Sequence, residues 1–341
     1  MTTRNAIIMF MIFVTSAMLA GAKKRSTPLM FVEYNCENLF DCHDDSLKND
    51  QEFLPESKRQ WTFGRYWKKV NDIGRVIQQC GETPGDEEDY HLPDLVSLCE
   101  VENDSALLML TQRSILKGAG YKYVMTDSPD QRGIDVALLY NPLTFRLVDS
   151  HSLRISTSGR QRPTRDILYV KGSIRSADTL HIFIIHAPSR RNGQKQSEPY
   201  RINVVNRLLQ AIDSIRNEQA EASFIIAGDF NDYSHNLSIQ MLTERGMKEI
   251  SKDAHGLNSE VTGVTGTYKY KGWWNSLDHI MLSDYLSRHV TQCYILDKPW
   301  MLVEDGTWGG FTPNRTYGGD IYKRGVSDHL PIVLRLSLPQ D

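Results

Sequence analysis

The sequence FIIAGDFND, residues 224–232, ends an apolar run at a glycine and places polar side chains directly after it. The apolar run predicts a buried strand, since β-branched and aromatic residues favour strands. Alternate residues of a strand point to the same side, so Asp229 and Asn231 would project together while Phe230 packs the other way. Taken alone, the stretch is explained equally well by a plain turn, because Gly-Asp and Asn-Asp are turn formers. Asp232 is assigned to that turn.

The composition is that of an ordinary globular protein. The chain has 341 residues, of which 40% are hydrophobic and 24% charged, and this is enough for a large core. A formal net charge of −3 excludes attraction of nucleic acid over the whole surface, so a polyanionic substrate must be held locally by a metal or a small basic patch. The five cysteines include no C-x-x-C pair, which argues against zinc and leaves at least one thiol without an internal partner. One disulfide could form, but its partners are not assigned.

Residues 1–22 resemble a segment that directs export. They contain Arg4, an apolar stretch from Ala6 to Phe13, and small residues near the end, which is the pattern of a cleavable secretory signal. A membrane anchor is the alternative, but the apolar stretch is shorter than the roughly 20 residues that a spanning helix needs. We therefore expect residues 23–341 to form a single periplasmic or secreted domain, without stable membrane association after cleavage.

Short β-rich apolar runs recur along the chain with helical segments between them. Residues 29–36 and 94–101 predict strands, whereas 65–80, 104–117 and 197–217 have the apolar spacing of helices. The helices fall between groups of strands and do not alternate strictly with them. This order predicts an α/β or α+β layered sandwich more than a doubly wound parallel sheet.

Polar residues able to bind a metal or a phosphate recur where the apolar strands end. Binding groups at strand ends, carried by loops on a rigid scaffold, are a common active-site design. A carboxylate such as Glu100, directly after an apolar run, is costly unless it is paired, hydrogen-bonded or metal-bound, although it could also cap a turn. The residues concerned are Asn35, Glu37, Glu100, His186, Asp229, Asn231, Asp278, Asp328 and His329.

The common catalytic motifs of other enzyme classes are missing from the sequence. There is no G-x-S-x-G, H-E-x-x-H, phosphate loop or G-x-G-x-x-G, and the D-x-N that begins at Asp229 lacks the remaining positions of a calcium loop. The candidate residues are rich in oxygen donors, which suit Mg²⁺, Mn²⁺ or Ca²⁺ better than zinc. Such a cation, with His and Asn donors nearby, suits the attack of water on a phosphate ester.

Six stretches, in this order, resemble motifs of the endonuclease/exonuclease/phosphatase superfamily, in its secreted or envelope-associated bacterial form. They are EYNCENLFD (33–41), PDLVSLCEVEN (93–103), RGIDVALLYNP (132–142), IIHAPSRRNG (184–193), AGDFND (227–232), and SLDHI (276–280) with SDHLP (327–331). The resemblance implies a four-layer αββα sandwich of two mixed β-sheets flanked by helices, with the site at one edge of both sheets.

The resemblance also implies metal ligands and a group that activates water. Glu100 would be the principal ligand of Mg²⁺, or of Mn²⁺ or Ca²⁺, assisted by Glu37 and Asp328. Asp229 would orient or deprotonate the attacking water. Asn231, together with Asn35, would position that water and the phosphate.

Two histidines complete the implied catalytic set. His329, held by Asp278, would stabilise the charged phosphoryl transition state, and His186 would contact the phosphate. Asp135 is the expected partner of His186, with a surface salt bridge as the alternative.

The substrate is less sharply defined by the sequence. Arg190 and Arg191 follow His186 in a basic loop that could hold flanking phosphates, or could simply be solvated. Tyr268 begins an aromatic-rich region that could stack on bases, contact a sugar or a lipid, or pack internally. We expect a phosphate-ester substrate, with nucleic acid favoured. A phosphomonoesterase, or a lipid or inositol phosphate phosphatase, is the alternative, and a non-catalytic binding protein would require gaps in the catalytic set. The aromatic region comprises Tyr268, Tyr270, Trp273, Trp274, Trp300, Trp308 and Tyr317.

Overall fold

A computed structural model describes residues 26–157, 162–174, 179–191 and 193–339 of the chain. The predicted export signal, residues 1–22, lies outside these ranges. Within them, no helix combines the length and the apolar character that crossing a membrane requires.

Twelve strands form the two large sheets of the structure. In chain order they are β1 (Ser26–Leu39), β2 (Leu95–Val101), β3 (Lys122–Met125), β4 (Asp135–Tyr140), β5 (Phe145–Leu153), β6 (Ile167–Ile174), β7 (Thr179–His186), β8 (Ser223–Asp229), β9 (Lys248–Glu249), β10 (Asp278–Leu282), β11 (Val290–Ile295) and β12 (Ile332–Pro339). The first sheet has the order β11-β12-β1-β2-β4-β3, and the second has the order β9-β10-β8-β7-β6-β5.

Each sheet is mixed in the same way, with one parallel pair at its centre. The parallel pairs are β1 with β2 and β7 with β8. All other neighbours in both sheets are antiparallel. Because parallel strands end at the same edge of a sheet, each central pair delivers two strand ends to one edge.

The remaining regular structure consists of helices and four small two-stranded ribbons. The helices are α1 (Phe63–Cys80), α2 (Asp104–Leu108), α3 (Gln194–Glu218), α4 (Leu237–Glu244), α5 (Ser259–Thr262) and α6 (Asp284–Ser287), with 3₁₀ turns at Gln51–Phe53, Ser251–Asp253 and Pro299–Met301. The ribbons pair Glu82–Thr83 with Asp86–Tyr90, Tyr268–Tyr270 with Trp273–Asn275, Leu302–Glu304 with Phe311–Pro313, and Tyr317–Gly318 with Ile321–Tyr322. The helix predicted over 104–117 is shorter than expected, since α2 passes into a π-helical turn at Met109–Arg113 and ends there.

The alternation of side chains along β7 defines the layers. Ile182 and Ile184 are buried in the core shared by the two sheets, whereas Phe183 and Ile185 belong to a second core beneath α3. Full burial of such a side chain contributes about 1.5–3 kcal/mol. Helix α1, which the apolar spacing predicted over 65–80, covers the first sheet with its apolar face, and α3 covers the second sheet. The predicted four-layer αββα sandwich is therefore confirmed. The residues buried by the helices are Val70, Ile73, Val76 and Ile77 of α1, and Val204, Val205, Leu208 and Ile212 of α3.

All five cysteines are free thiols. Cys36 and Cys99 are buried core residues of β1 and β2, and Cys80 is buried at the end of α1. The expectation of at least one unpaired thiol is therefore confirmed, and no disulfide links any of the five.

Gly228 permits the close approach of β8 to β7. Its φ is +135°, which only glycine adopts without strain. A Cβ atom at this position would lie 1.9 Å from the carbonyl oxygen of Ile185 on β7. A side chain here would therefore separate the central parallel pair of the second sheet.

We expect Gly228→Ala to lower the free energy of unfolding by more than about 3 kcal/mol, because it combines a backbone collision with an unfavourable φ. Gly246→Ala is the matched control. Gly246 also has a positive φ, +85°, but a Cβ atom added there would meet no other atom within 4 Å. Its substitution should cost only about 1–2 kcal/mol. Urea unfolding of both variants measures the difference, and equal losses would contradict the steric role of Gly228.

Candidate active site

The register of the second sheet brings three candidate residues side by side. Asp229, the last residue of β8, is paired with His186 on β7 and with Asp278 on β10. The first sheet meets them at the same edge, where the Asn35 carboxamide Nδ2 donates a hydrogen bond of 3.1 Å to Asp229 Oδ2. The strand ends of both sheets therefore converge on one place, as the strand-end pattern predicted.

The strands of the first sheet are irregular where they reach this edge. The register between β1 and β2 shifts between Asn35 and Leu39, and Glu100 is an extra residue where β2 pairs with β4. Such bulges re-aim side chains and are frequent beside active sites. Four non-glycine residues there have positive φ, an uncommon conformation that costs about 1–3 kcal/mol each. They are Glu37 (+49°), Asn38 (+60°), Glu100 (+63°) and Asn231 (+51°).

These residues face a cavity of about 1260 Å³. Asn35 and Asp278 are not part of its wall, but each is hydrogen-bonded to a residue that is. The structure thus brings all twelve predicted site residues to one cleft or directly behind it, while their catalytic roles stay predictions. The predicted residues in the wall are Glu37, Glu100, His186, Arg190, Arg191, Asp229, Asn231, Tyr268, Asp328 and His329.

His329 and Asp278 form a buried ion pair. The distance from His329 Nδ1 to Asp278 Oδ2 is 2.7 Å, and the Thr267 hydroxyl donates to the same oxygen. Burial alone would lower the pKa of His329, but the negative charge of Asp278, followed by those of Asp328 and Asp229, raises it well above its ordinary value. His329 is therefore positively charged at neutral pH. The Tyr268 ring lies 5.0 Å from its imidazole, centroid to centroid.

Asp229 is held in one orientation by two hydrogen bonds. Its Oδ1 accepts from the backbone N–H of Asn231 at 2.8 Å, and its Oδ2 accepts from Asn35. Burial, and then the charge of Asp278, raises the pKa of Asp229 to about 7. A further carboxyl group, Glu33 of β1, is completely buried behind it. Burial and the charges of Asp278 and Asp229 raise the pKa of Glu33 well above its ordinary value.

His186 lies between two carboxylates. Its Nε2 is 3.9 Å from Glu100 Oε1 and 3.7 Å from Asp229 Oδ2. Burial, and then the charge of Arg165, lowers the pKa of His186 well below its ordinary value, so the imidazole is neutral at neutral pH. Its Nδ1 is buried without a hydrogen-bond partner among the described residues.

Asp135 is not the partner of His186, and that prediction is wrong. The Asp135 carboxylate accepts hydrogen bonds from the Thr126 hydroxyl and from the backbone N–H of Ser128 at 3.1 Å. Asp135 is the first residue of β4, and its side chain braces the segment that follows β3. It is buried, so the surface salt bridge that was its alternative is wrong as well.

The three predicted metal ligands, Glu100, Glu37 and Asp328, differ in their hydrogen-bond and salt-bridge partners within the protein. Glu100 Oε2 accepts from the backbone N–H of Asn38 at 2.9 Å, and Glu37 Oε2 accepts from that of Thr316 at 2.6 Å. Arg315 forms a salt bridge with Asp328 and lies 3.6 Å from Glu37 Oε1. Burial, and then the charge of Asp328, raises the pKa of Glu37 to about 7.

The donors at this edge fit a hard divalent cation, because they are carboxylate oxygens concentrated around buried strand ends. One group of three also has the spacing that a metal site requires. Among the described residues, ligand atoms of Asp229, Asp278 and His329 all lie within 4.8 Å of one another. This group was not predicted as a metal site, and its His329–Asp278 hydrogen bond already occupies one oxygen.

Residues that hold the site in place were missed by the sequence analysis. The buried Lys69 of α1 donates to the Glu37 carbonyl at 2.9 Å, to the Thr316 hydroxyl at 2.6 Å and to the Val326 carbonyl. The Ser327 hydroxyl donates to the Asn35 carbonyl at 2.7 Å and accepts from the His329 backbone N–H. Lys69 did leave a signal, because it falls on the apolar face of a helix.

Arg190 and Asp232 stabilise the loop that follows β8. Arg190 Nε donates to the Asn231 carbonyl, and its Nη2 donates to Asp232 Oδ1, both at 2.8 Å. Asp232 also forms a buried salt bridge of 2.7 Å with Arg201 and accepts from the Ser238 hydroxyl. A plain turn therefore does not account for Asp232, which is an internal anchor. Most of the Arg190 guanidinium is committed to the protein, so its predicted contact with substrate is limited to Nη1.

The cavity wall also contains arginines. We call the part of the wall formed by Glu37, Glu100, Asp229 and Asp328, with His186 and His329, the floor of the cavity. Arg165 is buried and donates to the carbonyls of His186 and Ala187, which fixes the end of β7. Arg162 and Arg191, by contrast, are exposed and make no hydrogen bond or ion pair with a described residue. The arginines of the cavity wall are Arg59, Arg132, Arg162, Arg165, Arg190, Arg191 and Arg315.

The chain is similar to proteins of known family and fold. A model of the Endonuclease/Exonuclease/phosphatase family matches residues 30–338. A solved structure of a protein of that family from Bacteroides thetaiotaomicron is 14% identical, with a TM-score of 0.58, over 92% of this chain and 99% of that one. The human Nocturnin catalytic domain with bound sulfate is 17% identical, with a TM-score of 0.53, over 90% and 93%.

A mannosyl-6-phosphatase from Bacteroides thetaiotaomicron VPI-5482 is 15% identical, with a TM-score of 0.56, over 90% of this chain and 98% of that one. No curated protein sequence matches the chain. At these identities, the similarity to solved structures concerns the fold alone.

We expect Asp229→Asn to reduce the loss of stability that the metal-free protein suffers as the pH rises. The folded-state pKa of Asp229, about 7, lies above its unfolded value of 3.8, so its contribution to stability is complete only below the unfolded pKa and is lost progressively until the pH passes about 7. Between pH 5.5 and 8.5 this loss is about 2 kcal/mol. Thermal unfolding in EDTA measures it. Asp253→Asn, at an exposed site, is the control and should lose as much stability between these pH values as the unmodified protein. The same loss in Asp229→Asn would show that Asp229 is not the source of the pH dependence.

We expect Mg²⁺ to raise the Tm of the protein, and Glu100→Gln to abolish that rise. A ligand that binds only the folded state, at a hundredfold excess over its Kd, stabilises it by about 2.7 kcal/mol. Removing one charge from the proposed principal ligand should weaken binding enough to remove most of this effect. Glu56→Gln, at an exposed site outside the cavity wall, should retain the full rise. A full rise in Glu100→Gln would show that the cation binds elsewhere.

Proposed function

The chain belongs to the endonuclease/exonuclease/phosphatase family, a family of phosphate-ester hydrolases, and on this premise we propose that it is a divalent-metal-dependent phosphodiesterase that acts on nucleic acid. The observation that carries the proposal is the arrangement of Asp229 between His186 and Asp278, in which Asp229, His186 and the charged His329 face one large cavity and Asp278 lies directly behind them. In the proposed reaction, water attacks phosphorus in line with the leaving oxygen.

Asp229 is proposed to accept the proton of the attacking water. A general base works best when its pKa lies near the working pH, and burial brings that of Asp229 to about 7. The hydrogen bonds from the Asn231 backbone and the Asn35 carboxamide fix both carboxylate oxygens, so the group is already oriented before substrate binds. Asn231 Nδ2 donates to the Ala187 carbonyl, which leaves its Oδ1 for the water.

His329 is proposed to stabilise the negative charge that develops on the phosphoryl oxygens. Its Nδ1 is engaged by Asp278, so its Nε2–H is the donor available to a phosphate, and the ion pair keeps the imidazole charged. A preorganised charged donor of this kind is worth far more in a buried site than in water. The neutral His186 would donate a second hydrogen bond to the same group.

Glu100, with Glu37 and Asp328, would hold the divalent cation. When bound, such a cation polarises the phosphoryl oxygen and offsets the negative charge of the site. Arg315 now neutralises Glu37 and Asp328, and its two salt bridges would have to loosen for both carboxylates to bind the cation.

The arginine-rich cavity wall supports a diester of a polymeric anion over a small monoester. A single phosphate would be bound entirely by the residues around Asp229. Arg162 and Arg191, also in the cavity wall, carry positive charges that are not paired with a described residue. These two arginines would bind the phosphates on either side of the reacting phosphate in a polymeric substrate. The export signal predicted for residues 1–22 extends the proposal to a periplasmic or secreted location.

The test is an assay of residues 23–341 with Mg²⁺ or Mn²⁺. The substrates are bis-(p-nitrophenyl) phosphate, single-stranded and plasmid DNA, RNA, mannose 6-phosphate, inositol phosphates and sphingomyelin. We expect cleavage of the diesters and of nucleic acid, and its loss in EDTA. Release of phosphate from monoesters alone would make the protein a phosphatase and would overturn the proposal. Cleavage of sphingomyelin alone would do the same.

We expect Asp229→Asn to lower kcat for bis-(p-nitrophenyl) phosphate at least about a hundredfold, because it removes the proposed base. His329→Gln should lower it by a similar factor through the loss of the charged donor. Asp253→Asn is the surface control and should leave kcat unchanged. Full activity in Asp229→Asn would remove the water-activating role, whatever the other variants show.

A further inference from the structure

Three neighbouring exposed aromatic side chains, of which one lines the cavity, are used by no step of the proposed reaction. Tyr270, Trp273 and Trp308 are 54%, 77% and 59% exposed. We call them the aromatic ridge. Their rings make no stacking contact with another ring of the described residues, and Tyr270 is itself part of the cavity wall. Soluble proteins rarely expose several large rings together without a partner for them.

Two of these rings are carried by a tight hairpin ribbon. Tyr268–Tyr270 pairs with Trp273–Asn275, and Tyr270 lies directly opposite Trp273, so the two side chains are on the same face. The two residues of the turn, Lys271 and Gly272, both have positive φ, +49° and +85°, as a type I′ hairpin turn requires.

Trp308 is fixed against that turn from a separate loop. A Cβ on Gly272 would lie 3.1 Å from Trp308 Cβ, so the tryptophan packs across the turn. Lys269, whose side chain is buried, forms a salt bridge of 3.0 Å with Asp305 and donates to the Gly309 carbonyl at 2.7 Å. Asp305 in turn accepts from the backbone N–H of Trp308 at 3.0 Å. The loop that carries Trp308 is therefore joined to the hairpin by contacts within the protein, so the three residues are neighbours before any ligand binds, which lowers the entropic cost of binding.

The charges of the cavity identify the kind of ligand. Arg162 and Arg191 line the same cavity and make no hydrogen bond or ion pair with a described residue, so they can bind anions. A ligand that satisfies both features carries flat rings and several negative charges along its length. Unpaired nucleotides have this combination, whereas bases in a duplex are already stacked on their neighbours and cannot reach an aromatic side chain.

We propose that the aromatic ridge is a stacking platform for unpaired bases, which makes single-stranded nucleic acid the preferred substrate of this site. This inference rests on the proposed function, since the ridge would deliver a strand to the residues around Asp229. Tyr270 is the ridge residue that lines the cavity, and Trp273 and Trp308 lie next to it outside the wall.

The test measures how tightly the protein binds a fluorescently labelled 12-nucleotide DNA strand. Fluorescence anisotropy is the readout, in EDTA and at a fixed salt concentration. An abasic strand of equal length keeps the phosphates but removes the bases, and a matched duplex keeps the bases but buries them. We expect the ordinary strand to bind about tenfold more tightly than either. The double variant Trp273→Ala/Trp308→Ala should bind the ordinary strand only as tightly as the abasic one.

Trp67→Ala is the matched control, since Trp67 is an exposed tryptophan of α1 outside the cavity wall. It should bind all three probes as the unmodified protein does. Circular dichroism and thermal unfolding check that each variant is folded. Equal binding of ordinary and abasic strands, or unchanged binding by the double variant, would overturn the proposal.

Two further measurements separate this inference from the proposed function and from other ligands. The double variant should hydrolyse bis-(p-nitrophenyl) phosphate at the unmodified rate, because this small ester does not need the ridge. If the unmodified protein hydrolyses no phosphate ester but binds strands through the ridge, the proposed function fails and the platform stands. Sedimentation with phosphatidylcholine/phosphatidylserine vesicles that is lost in the double variant would instead assign the ridge to a membrane surface and overturn the proposal.

Discussion

The close approach of β8 to β7 at Gly228 determines the geometry of the whole site. Because no Cβ separates the two strands there, the parallel ladder continues to the last residue of β8 and pairs Asp229 with His186. The antiparallel ladder on the other side of β8 sets Asp278 next to Asp229. A shift of one residue in either ladder would turn the Asp229 side chain to the opposite face of the sheet. The chemistry proposed for Asp229 thus depends on a contact between two backbones.

The same convergence concentrates negative charge in a poorly solvated place. Asp229, Asp278 and Glu33 are all buried close to His329, which is their one adjacent positive charge among the described residues. Burial of an unpaired carboxylate is unfavourable, so the surplus charge must be neutralised by protons or by a cation. Burial and the neighbouring charges raise the pKa of Glu33 well above its ordinary value, and a pKa of about 7 allows Asp229 to take up or release a proton near neutral pH. A divalent cation would neutralise the same charge, and its binding would lower the pKa values that burial has raised.

The sequence predicted the scaffold and the residues at the strand ends, because both follow from local patterns. Period-two alternation marks strands, and a polar residue at the end of an apolar run is conspicuous. The supporting residues were not predictable in this way. Lys69 reaches the end of β1 from a helix, and Arg315 reaches Glu37 and Asp328 from a distant loop, so their partners are set only by the tertiary fold. Asp135 was misassigned for the same reason, since its partners on the segment after β3 could not be inferred from its own neighbours.

Strained backbone at the site has to be held by these supporting contacts. Glu37, Asn38 and Glu100 adopt positive φ, and a regular strand would relieve this strain by returning their side chains to the sheet faces. Lys69 opposes that relaxation at the Glu37 carbonyl, and the Asn38 backbone N–H does so at the Glu100 carboxylate. Each bulge is therefore tied to a partner from another element, and the stability of the scaffold is used to keep carboxylates facing the cavity. Loss of a supporting contact would therefore release the strained backbone and turn a carboxylate away from the cavity, although the supporting residue itself contacts no ligand.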